Sequence, residues 1–403
     1  MTAPPLPLLR TGDRIRRLPA GSGRHFGGGG GVRRVAVVEG YPHVLAGAHR
    51  VTRSLLAALP AHGWEGVVVL PADGPAAEGF AAAGIAVEIV EAPAALQRYG
   101  GTSRRGAAGA ALPGYWRSIS RVLADVDVVH ALDPRGLLLG GPAARMARRP
   151  LVWQLHTTSR WGAVNRLGTT MARQVCVMSA SSRDEMPGLG WGGGRGRRRP
   201  VAIAAPPLPD GLRVLAVAAP GPHPVVATIA RPHPEKGLDV LVDALALLPP
   251  NVVLRIVGTG PDDDGPGAMS LRARIDRLGL ADRVELAGWR ADPLAAVADA
   301  WAYVQPSRSE SYGLALAEAR ALGLATVSTD VPGLREQVRP GTDGLVVPSD
   351  DPVALAAAIG RLLSDRPGAA RLGAAARDAA LAGPTESAHA ADWARRYTAL
   401  APA

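Results

Sequence analysis

The sequence predicts an α/β fold that consists of two doubly wound domains in series. From residue 32 onward, short apolar runs alternate with helical patterns, which is typical of a parallel sheet covered by helices on both faces. A stretch rich in glycine and proline interrupts this alternation at 187–224, and the pattern starts again at 225. A chain of 403 residues is also too long for one ordinary core. We therefore expect two domains joined by a linker.

The first 31 residues are rich in proline, glycine and arginine and end in the glycine run 27–31. Such a composition cannot bury enough apolar surface to fold, so we expect a flexible leader at 1–31. The glycine run is not a nucleoside-triphosphate loop, because that loop needs a lysine followed by Ser or Thr. The lysine of this chain, Lys236, precedes Gly237 instead.

The first domain is expected at 32–207 and the linker at 208–224. Each predicted strand is a run of four or five residues rich in valine and leucine, as expected where both faces of a sheet are covered. A helical pattern over 51–59 follows the first run. The predicted strands are 35–38, 67–70, 87–90, 126–129, 151–155, 175–178 and 201–204.

The second domain is expected at 225–380 and is followed by a terminal segment at 381–403. The same alternation predicts strands at 225–229, 252–257, 284–287, 301–305 and 325–329. The predicted helices are 238–248, 271–278, 313–322, 352–363 and 386–400. Ligands of such open sheets bind beyond the carboxyl ends of the strands.

Composition excludes several classes of protein. The single cysteine, Cys176, cannot form an internal disulfide or a cysteine-rich zinc site. No run of 18 apolar residues is present, and the N-terminus lacks an uninterrupted apolar core for a secretory signal. We therefore expect a cytoplasmic protein.

The net charge of +10 favours anionic partners. Nucleic acid is not among those we expect, because no basic run is interleaved with stacking aromatic residues. The densest basic run, 195–199, lies in a glycine-rich loop.

One lysine, Lys236, stands among 45 basic residues. A compact ammonium cannot be exchanged for a planar guanidinium without a change of geometry, so its retention indicates a ligand oxygen nearby. The alternative is that Lys236 is a chance survivor on a solvated surface. Arg231 precedes it by five residues, between a predicted strand and a predicted helix. Two cations beside a helix N-terminus form a site for phosphate or diphosphate.

Two glutamates flank the start of the next helix. Glu310 follows the strand at 301–305, and Glu318 lies inside the helix among alanines and leucines. A carboxylate on so apolar a helix needs a partner. Sugar or ribose hydroxyls would serve, and the alternative is a buried Glu paired with an arginine. Eight helical residues span roughly 12 Å, less if the first part is a turn, which matches the two sugars of a nucleotide-sugar.

These motifs follow one another in an order that resembles the C-terminal domain of the retaining glycosyltransferases of family 4, which have the GT-B fold of two Rossmann-like domains facing across a cleft. The motifs are, in chain order, Arg231 with Lys236-Gly237, Gly258-Thr259-Gly260-Pro261, Val284-Glu285-Leu286-Ala287-Gly288, Pro306-Ser307-Arg308-Ser309-Glu310, Glu318, Gly323, Asp330-Val331-Pro332-Gly333 with Glu336, and Gly344-Leu345-Val346-Val347-Pro348. Ala230 departs from the family, which usually has glycine there.

The resemblance implies a role for each matching residue. It implies that Arg231 and Lys236 neutralise the donor diphosphate, that Glu310 contacts the transferred sugar and that Glu318 holds the ribose. The loops at Gly258 and Gly288 would line the phosphate and base pockets. The diphosphate would lie over backbone N–H groups near Gly313. The implied donor-binding set is Arg231, Lys236, Gly258, Gly288, Glu310, Tyr312, Gly313, Leu314 and Glu318.

The first domain resembles the family less closely. Gly47 remains where the family often has two adjacent glycines in a loop that approaches phosphate and acceptor. His130 and His156 resemble histidines at the ends of two strands. We expect His156 to contact the transferred sugar near the reaction centre and to act with Arg231, Lys236 and Glu310. For His130, an acceptor contact and an ordinary polar histidine remain alternatives. The helix 386–400, with Trp393 and Tyr397 on one side, resembles the family's crossover onto the first domain.

No metal or cofactor is expected besides the nucleotide-sugar substrate. The acidic runs 125–127 and 262–264 offer paired carboxylates, but the first alternates into a strand and the second follows a glycine-rich turn. By resemblance, the diphosphate charge is met by Arg231, Lys236 and helix dipoles, so metal should be dispensable.

The expected activity is transfer of a glycosyl group, a hexose by expectation, with retention, from a nucleotide-diphosphate sugar to an acceptor hydroxyl. The acceptor class is a cell-envelope polysaccharide, a glycolipid or a secondary metabolite. The alternatives are another GT-B chemistry, such as sugar-nucleotide epimerisation or phosphorolysis, and a non-catalytic scaffold that binds the nucleotide-sugar. A basic patch of Arg104, Arg105, Arg117 and Arg121 is interpreted either as a peripheral contact with an anionic membrane or as a solvated helix face.

Overall fold

The structure is a computed structural model that describes residues 15–18, 32–43, 47–93, 105–193, 197–198, 200–215 and 218–402. The chain divides into two compact units. The first comprises Met1–Cys176, Gly188–Ala202 and Ser387–Ala403, and the second Val177–Pro187 and Ile203–Glu386. Each unit contains a largely parallel sheet with interleaved helices, so the predicted α/β class is confirmed.

The first sheet has eight strands in the order β1-β4-β3-β2-β5-β6-β7-β10. The central pairs β2–β3, β3–β4, β2–β5 and β5–β6 are parallel. A separate two-stranded ribbon joins β8 to β9. The strands are β1 Ile15–Leu18, β2 Arg33–Val38, β3 Trp64–Leu70, β4 Ala86–Val90, β5 Val128–Leu132, β6 Leu151–Leu155, β7 Gln174–Val177, β8 Trp191–Gly193, β9 Arg197–Arg198 and β10 Val201–Ile203.

Helices connect these strands, as parallel pairing requires. The inner strands are nearly all apolar because both of their faces are covered: β5 and β6 are buried along their whole length. The helices of this part are α1 Gly47–Ala58, α2 Pro75–Ala82, α3 Arg105–Leu123, α4 Asp133–Met146 and α5 Gly162–Met171.

The prediction of a flexible leader was wrong for four residues. Ile15–Leu18 form β1, which pairs antiparallel with β4 from Ile15–Val90 to Leu18–Val87. A strand at the edge of a sheet has backbone N–H and C=O groups without hydrogen-bond partners, and another segment can pair with them. β1 pairs in this way with β4. The other leader residues, 1–14 and 19–31, lie outside the described part of the chain.

The second sheet has six parallel strands in the order β13-β12-β11-β14-β15-β16. Its strands are β11 Val225–Ile229, β12 Val253–Val257, β13 Val284–Gly288, β14 Ala302–Gln305, β15 Thr326–Thr329 and β16 Leu345–Val347. The order in which strands are added to the sheet reverses between β11 and β14, the topological position at which such sheets bind ligands.

Two short and five longer helices accompany this sheet in the described part of the chain. They are α6 Ala180–Asp184, α7 Gly211–Val214, α8 Leu238–Ala246, α9 Pro266–Arg277, α10 Leu314–Ala321, α11 Pro352–Ser364 and α12 Arg366–Leu381, and α13 Glu386–Leu400 follows them. α12 was not predicted, because glycine and arginine break its pattern. Gly373 lets α12 pack against the backbone, since a Cβ there would lie 2.2 Å from the Gly323 carbonyl oxygen.

Two segments depart from the expected domain boundaries. Residues 177–187 and 203–207 were expected in the first domain but are grouped with the second unit. The first of these segments makes specific contacts with the second unit. The Ser179 hydroxyl donates to the Ser311 carbonyl at 2.9 Å, and the Ala180 N–H donates to Glu336 at 3.2 Å. The Ser181 N–H also donates to Glu336. These contacts account for the grouping.

The terminal helix α13 packs on the first unit through aromatic side chains. The rings of Trp393 and His130 lie 4.6 Å apart, and the Tyr397 hydroxyl is 2.8 Å from Nδ1 of His130. Trp64 Nε1 donates to the Thr398 hydroxyl at 3.2 Å. Residues 387–403 therefore belong to the first unit despite their position at the end of the chain.

The sequence comparison placed His130 at the end of a strand. In the structure it is the middle residue of β5 and is only 1% exposed. Of the two interpretations of His130, its burial beneath α13 favours the ordinary polar histidine over an acceptor contact. Burial, reinforced by the charge of His156, lowers the pKa of His130 to about 3. His130 is therefore a neutral core residue that anchors α13.

We expect His130 to make stability depend on pH. The unfolded chain takes up a proton near the ordinary pKa of 6.5, whereas the folded state does so only near pH 3. The contribution of His130 to the free energy of unfolding is thus fully present above pH 6.5. It declines as the pH falls, by up to about 1.4 kcal/mol per pH unit. Urea unfolding of the wild type and His130→Gln at pH 7.5, 6 and 5 checks this.

The comparison uses the difference between the two proteins, because Glu39 and His156 also titrate. Burial raises the pKa of Glu39 to about 8, which opposes the effect of His130 on acidification, but both proteins contain Glu39. The advantage of wild type over His130→Gln should shrink as pH falls. A difference that stays constant with pH would contradict the assignment.

The described helices include none with the length and apolar character that crossing a bilayer requires.

Candidate functional site

In the second unit, four predicted site residues follow four strands of the sheet. Arg231 comes two residues after β11, Gly258 directly after β12, Gly288 at the end of β13 and Glu310 in the loop after β14. Carboxyl ends of parallel strands lie at one edge of the sheet, so the topology gathers these residues on one side. Arg231 is exposed there.

Lys236 and Glu310 are brought into direct contact. Nζ of Lys236 lies 2.7 Å from Oε1 of Glu310, and the Glu310 side chain is only 11% exposed. Lys236 ends a 3-10 turn, Pro234–Lys236, that begins three residues after Arg231. The two loops that carry the charges thus meet in space although 74 residues separate them in sequence. A shielded ammonium–carboxylate pair is an arrangement that a phosphate or a sugar can join.

Gly237 is required where these loops meet. Its φ is +63°, in the left-handed region that favours glycine, and a Cβ there would lie 2.0 Å from the Pro306 carbonyl oxygen. The backbone of the Lys236 loop therefore packs directly against the loop that leads to Glu310.

Arg308 connects the same two loops. It belongs to the sequence motif 306–310, but the sequence alone assigned it no role. Its guanidinium bonds both oxygens of Asp239, at 2.9 and 2.7 Å, and the Pro234 carbonyl at 2.6 Å. The hydrogen bonds that Arg308 donates to Asp239 raise the pKa of Arg308 above its ordinary value. A bidentate pair of this kind fixes orientation as well as distance.

Gly258 and Gly288 pair with each other through the backbone. The Gly258 N–H donates to the Gly288 carbonyl at 2.8 Å, and the Gly288 N–H donates to the Thr259 carbonyl at 2.9 Å. Ala230, where the family usually has glycine, is buried, and its N–H donates to the Val257 carbonyl at 2.9 Å. The alanine fits because its backbone continues the strand pairing.

Gly313 precedes α10 with a φ of +89°. A Cβ there would lie 2.3 Å from the Leu334 side chain, so the close approach needs glycine. Tyr312 is half-buried, and its carbonyl accepts a hydrogen bond from Gln337. Leu314 is the first residue of α10. The run from Tyr312 to Leu314 therefore turns the chain into the helix immediately after Glu310.

Glu318 lies inside α10 and is 2% exposed. The helix begins at Leu314, so only about half of the eight-residue separation between the two glutamates is helical. The helical rise of about 1.5 Å per residue therefore applies to the second half alone.

In the first unit, His156 directly follows β6 and is 7% exposed. Its backbone N–H donates to Asp133 Oδ1 at 2.8 Å, and the Thr157 N–H and hydroxyl donate to the same oxygen, each at 3.0 Å. Burial lowers the pKa of His156, and the charge of Asp133 opposes that shift.

Asp133 was missed by sequence reasoning. It is buried, begins α4 and has a φ of +56°, which is uncommon for a residue other than glycine. Its carboxylate holds the loop that carries His156. An acidic residue directly after the apolar run of β5 was the available signal.

Glu39 and His49 form a second buried polar group in the first unit. Oε1 of Glu39 accepts from the N–H groups of Gly40 and Tyr41, at 2.7 and 3.1 Å. Oε2 lies 3.8 Å from Nε2 of His49. The charge of Asp133 adds to the burial that raises the pKa of Glu39. Such a carboxyl group can exchange a proton near neutral pH.

Gly47, predicted in the acceptor and phosphate loop, is the first residue of α1. Residues 44–46 of that loop lie outside the described part of the chain. Within the described residues, no three His, Cys, Asp or Glu side chains form a group that could hold a metal ion.

Two family models match this chain, and together they span most of both units. The model described as glycosyltransferase family 4 matches residues 45–191. The model described as glycosyl transferases group 1 matches residues 216–379, which contain Arg231, Lys236, Glu310 and Glu318.

Curated relatives share part of their length with the chain. A D-inositol 3-phosphate glycosyltransferase of Nocardia farcinica is 35% identical over 218 residues, 50% of this chain and 45% of the relative. A phosphatidyl-myo-inositol mannosyltransferase of Mycobacterium tuberculosis is 30% identical over 270 residues, 61% and 66% of the two chains. The chain thus spans less than half of the first of these relatives.

Solved structures show the same fold. HepE from Anabaena, in complex with UDP and glucose, has a TM-score of 0.76 at 22% identity, with 92% of this chain and all of that one covered. Sucrose-phosphate synthase from Thermosynechococcus elongatus has a TM-score of 0.72 at 22% identity, with coverage of 91% and 99%. The two family models, which together match most of the chain, show that it belongs to glycosyltransferase family 4, and the solved structures show that it has the GT-B fold.

Proposed function

We propose that this protein is a retaining glycosyltransferase that moves a sugar, a hexose by preference, from a nucleotide-diphosphate sugar to an acceptor hydroxyl. The observation that carries the proposal is the contact between Lys236 and Glu310 at the carboxyl edge of the second sheet. It joins a cation suited to a diphosphate and a carboxylate suited to sugar hydroxyls, and the group 1 family model covers both residues.

Within this proposal, the cations act mainly on the leaving group. Lys236 and Arg231 neutralise the diphosphate as the bond to the anomeric carbon breaks and positive charge develops on the sugar. Glu310 holds the sugar. Backbone N–H groups at the start of α10 contribute further positive potential. The departing phosphate oxygen takes the acceptor proton, so the new bond forms on the face that the leaving group occupied.

The proposed reaction uses no cofactor besides the donor and no metal ion. The support is the chemistry of the residues that face the diphosphate, since Lys236, Arg231 and a helix N-terminus supply positive charge without one. The acceptor class we propose is a precursor of a cell-envelope polysaccharide, a glycolipid or a secondary metabolite. The Nocardia and Mycobacterium relatives, whose names specify inositol compounds, make inositol phosphates the first acceptors to assay.

The experiment that tests the proposal measures nucleotide binding first. Thermal shift and calorimetry would be run with UDP, GDP, ADP and TDP and their common sugars, with and without EDTA. We expect stabilisation by one nucleotide family that is insensitive to EDTA. UDP and UDP-glucose come first, because structures of the Anabaena neighbour contain them. Binding that EDTA abolishes would contradict metal independence.

Product analysis then separates the chemistries. A glycosyltransferase consumes donor in proportion to a suitable acceptor, whereas an epimerase converts donor alone. Binding without turnover across a broad acceptor panel would point to a scaffold and overturn the enzymatic proposal.

We further propose that the first unit contacts an anionic membrane surface through the outer face of α3 and α4. These helices pack together, and Trp116 Nε1 donates to the Leu138 carbonyl at 3.0 Å. Leu138 and Met146, eight residues apart on α4, are 45% and 49% exposed. Arg117 and Arg121 are exposed on α3. Exposed apolar and basic side chains together favour anionic head groups. Of the other predicted arginines, Arg104 lies outside the described residues.

We expect the protein to sediment with phosphatidylglycerol-containing vesicles at low salt and to be released at high salt. The double variant Arg117→Glu/Arg121→Glu should lose this binding. The matched control, Arg277→Glu/Arg361→Glu, changes the net charge equally on exposed helices of the second unit and should keep it. Equal sedimentation of the two double variants would contradict the proposed surface. So would a wild type that does not sediment with the vesicles at any salt concentration.

A further inference from the structure

Gln305 is a buried polar residue at the end of a strand that is otherwise apolar. It is the last residue of β14 and is 2% exposed. Burying an amide is costly unless its hydrogen bonds are made. Here Oε1 of Gln305 accepts from the Tyr303 hydroxyl at 2.9 Å. Its Nε2 donates to the Ser307 hydroxyl at 2.9 Å and to Oε1 of Glu310 at 3.1 Å. Every polar atom of this side chain is thus engaged.

Three donors converge on one oxygen of Glu310. Besides Gln305, the Ser307 hydroxyl donates to Oε1 at 3.0 Å, and Lys236 Nζ lies 2.7 Å from it. Within the described part of the chain, no donor contacts Oε2. The protein therefore holds Glu310 by one oxygen, and the other is available to accept a hydrogen bond from a ligand hydroxyl.

Tyr303 decides which way the Gln305 amide faces. It is fully buried in β14, and its hydroxyl donates to Gln305 while accepting from the Ile229 N–H at 3.3 Å. Since a hydroxyl donor must meet the amide oxygen, the amide NH₂ turns toward Glu310. Ile229 ends β11, two residues before Arg231. The network thus connects the strand that leads to Arg231 with the carboxylate that Lys236 contacts.

The loop that contains this network is also held through its backbone. Ser307 is fully buried, and its carbonyl accepts from the Thr329 hydroxyl at 2.5 Å. The Glu310 carboxylate is held by hydrogen bonds to β14 and to a loop whose backbone is itself fixed. It therefore loses little orientational freedom when a ligand binds, which is the condition for effective positioning.

We infer that Gln305 is a positioning residue that aims Glu310 at the transferred sugar, with Tyr303 setting the orientation of its amide. The inference rests on the proposed function, because it requires that Glu310 meets the sugar of a nucleotide-sugar. Gln305 is not itself a catalytic residue, since it acts through Glu310.

The test is Gln305→Met, which keeps the length and volume of the side chain and removes both of its bonds to the site. The probes are the nucleotide diphosphate and the matching nucleotide-sugar that stabilise the wild type most, beginning with UDP and UDP-glucose. We expect Gln305→Met to bind the bare nucleotide as the wild type does, to lose affinity for the intact donor and to turn over on the order of 10- to 100-fold more slowly.

Two further variants separate positioning from general loosening. Tyr303→Phe removes only the hydroxyl and should give a smaller loss in the same direction. Ser328→Ala is the matched control: Ser328 pairs in register with Gln305 on β15, is equally buried, and its hydroxyl has no hydrogen-bond partner among the described residues. It should bind both probes normally.

Each other outcome has a definite meaning. Unchanged sugar-dependent affinity and turnover in Gln305→Met would overturn the inference alone. An equal loss of nucleotide and nucleotide-sugar binding with a lowered Tm would also overturn it, because that pattern marks a purely structural residue. A wild type that binds no nucleotide-sugar would overturn the proposed function and, with it, this inference.

Discussion

Replacing Lys236 by arginine is expected to weaken donor binding and to lower kcat/KM on the order of 100-fold, although the formal charge does not change. The ammonium fits between Glu310 Oε1, at 2.7 Å, and a loop whose Gly237 is in contact with the Pro306 backbone. A guanidinium is longer and planar, so it must displace the carboxylate or leave the site. Measuring donor affinity by calorimetry and initial rates for both proteins checks this.

The exchange has a matched control in Arg277→Lys, on an exposed position in the last turn of α9. It should leave donor affinity and rate unchanged.

Lys236 is also the one lysine of the sequence, so reductive methylation, which keeps the charge, modifies no other side-chain amine. Bound donor should protect Lys236 from this reaction. Equal donor affinity in Lys236→Arg and wild type would refute the role that we assign to the ammonium.

Replacing Asp343 by asparagine is expected to destabilise the second unit by about 3–5 kcal/mol. Arg320 on α10 and Asp343 are 2% and 1% exposed, and Arg320 Nη2 lies 3.1 Å from Asp343 Oδ1. Asp343 also accepts from the Arg339 N–H at 2.8 Å. Burial alone would raise the pKa of Asp343, but hydrogen bonds from Arg339 and Arg320 lower it overall. Asparagine keeps the shape and leaves the Arg320 charge buried without its counterion.

Urea unfolding of Asp343→Asn beside Asp330→Asn tests this expectation. Asp330 pairs with Arg335 at 2.7 Å, but both side chains are about half exposed, so its loss should cost less than about 1 kcal/mol. Similar stability losses in the two variants would contradict the prediction. Glu318 lies two residues from Arg320 on α10. A loss of donor affinity in Asp343→Asn but not in Asp330→Asn would therefore indicate that the Arg320–Asp343 pair supports the position of Glu318.

The regular elements were predicted well where one local pattern was sufficient. Runs of valine and leucine predicted both parallel sheets, since strands covered on two faces must be apolar along their length. The Arg231, Lys236 and Glu310 loops were predicted because the charges stand at strand ends, where few structural roles compete. The predicted strand at 126–129 appears two residues later, at Val128–Leu132, and the Asp127 side chain just before it accepts from the Arg34 N–H of β2 at 2.7 Å.

Elements that depend on distant partners could not be predicted in this way. β1 forms because the edge of β4 accepts a strand from a leader that has no apolar pattern of its own. α12 forms against the Gly323 backbone despite an internal glycine. His130 resembled a site residue in sequence, but α13, more than 250 residues later, covers it and turns it into an anchor.

The amino-acid sequence by itself therefore determined the fold class, the family and which charged residues follow the strands of the second sheet, because these depend on local periodicity and on chemistry at strand ends. Only the tertiary structure decided how Glu310 is held. Gln305 and Ser307 lie within five residues of Glu310, but Lys236 reaches Glu310 from a loop 74 residues away. The Tyr303 hydroxyl, which sets the Gln305 amide, accepts from the Ile229 N–H of the neighbouring strand β11. Hydrogen bonds are short and directional, so their partners can be identified only after the sheet has brought distant segments together.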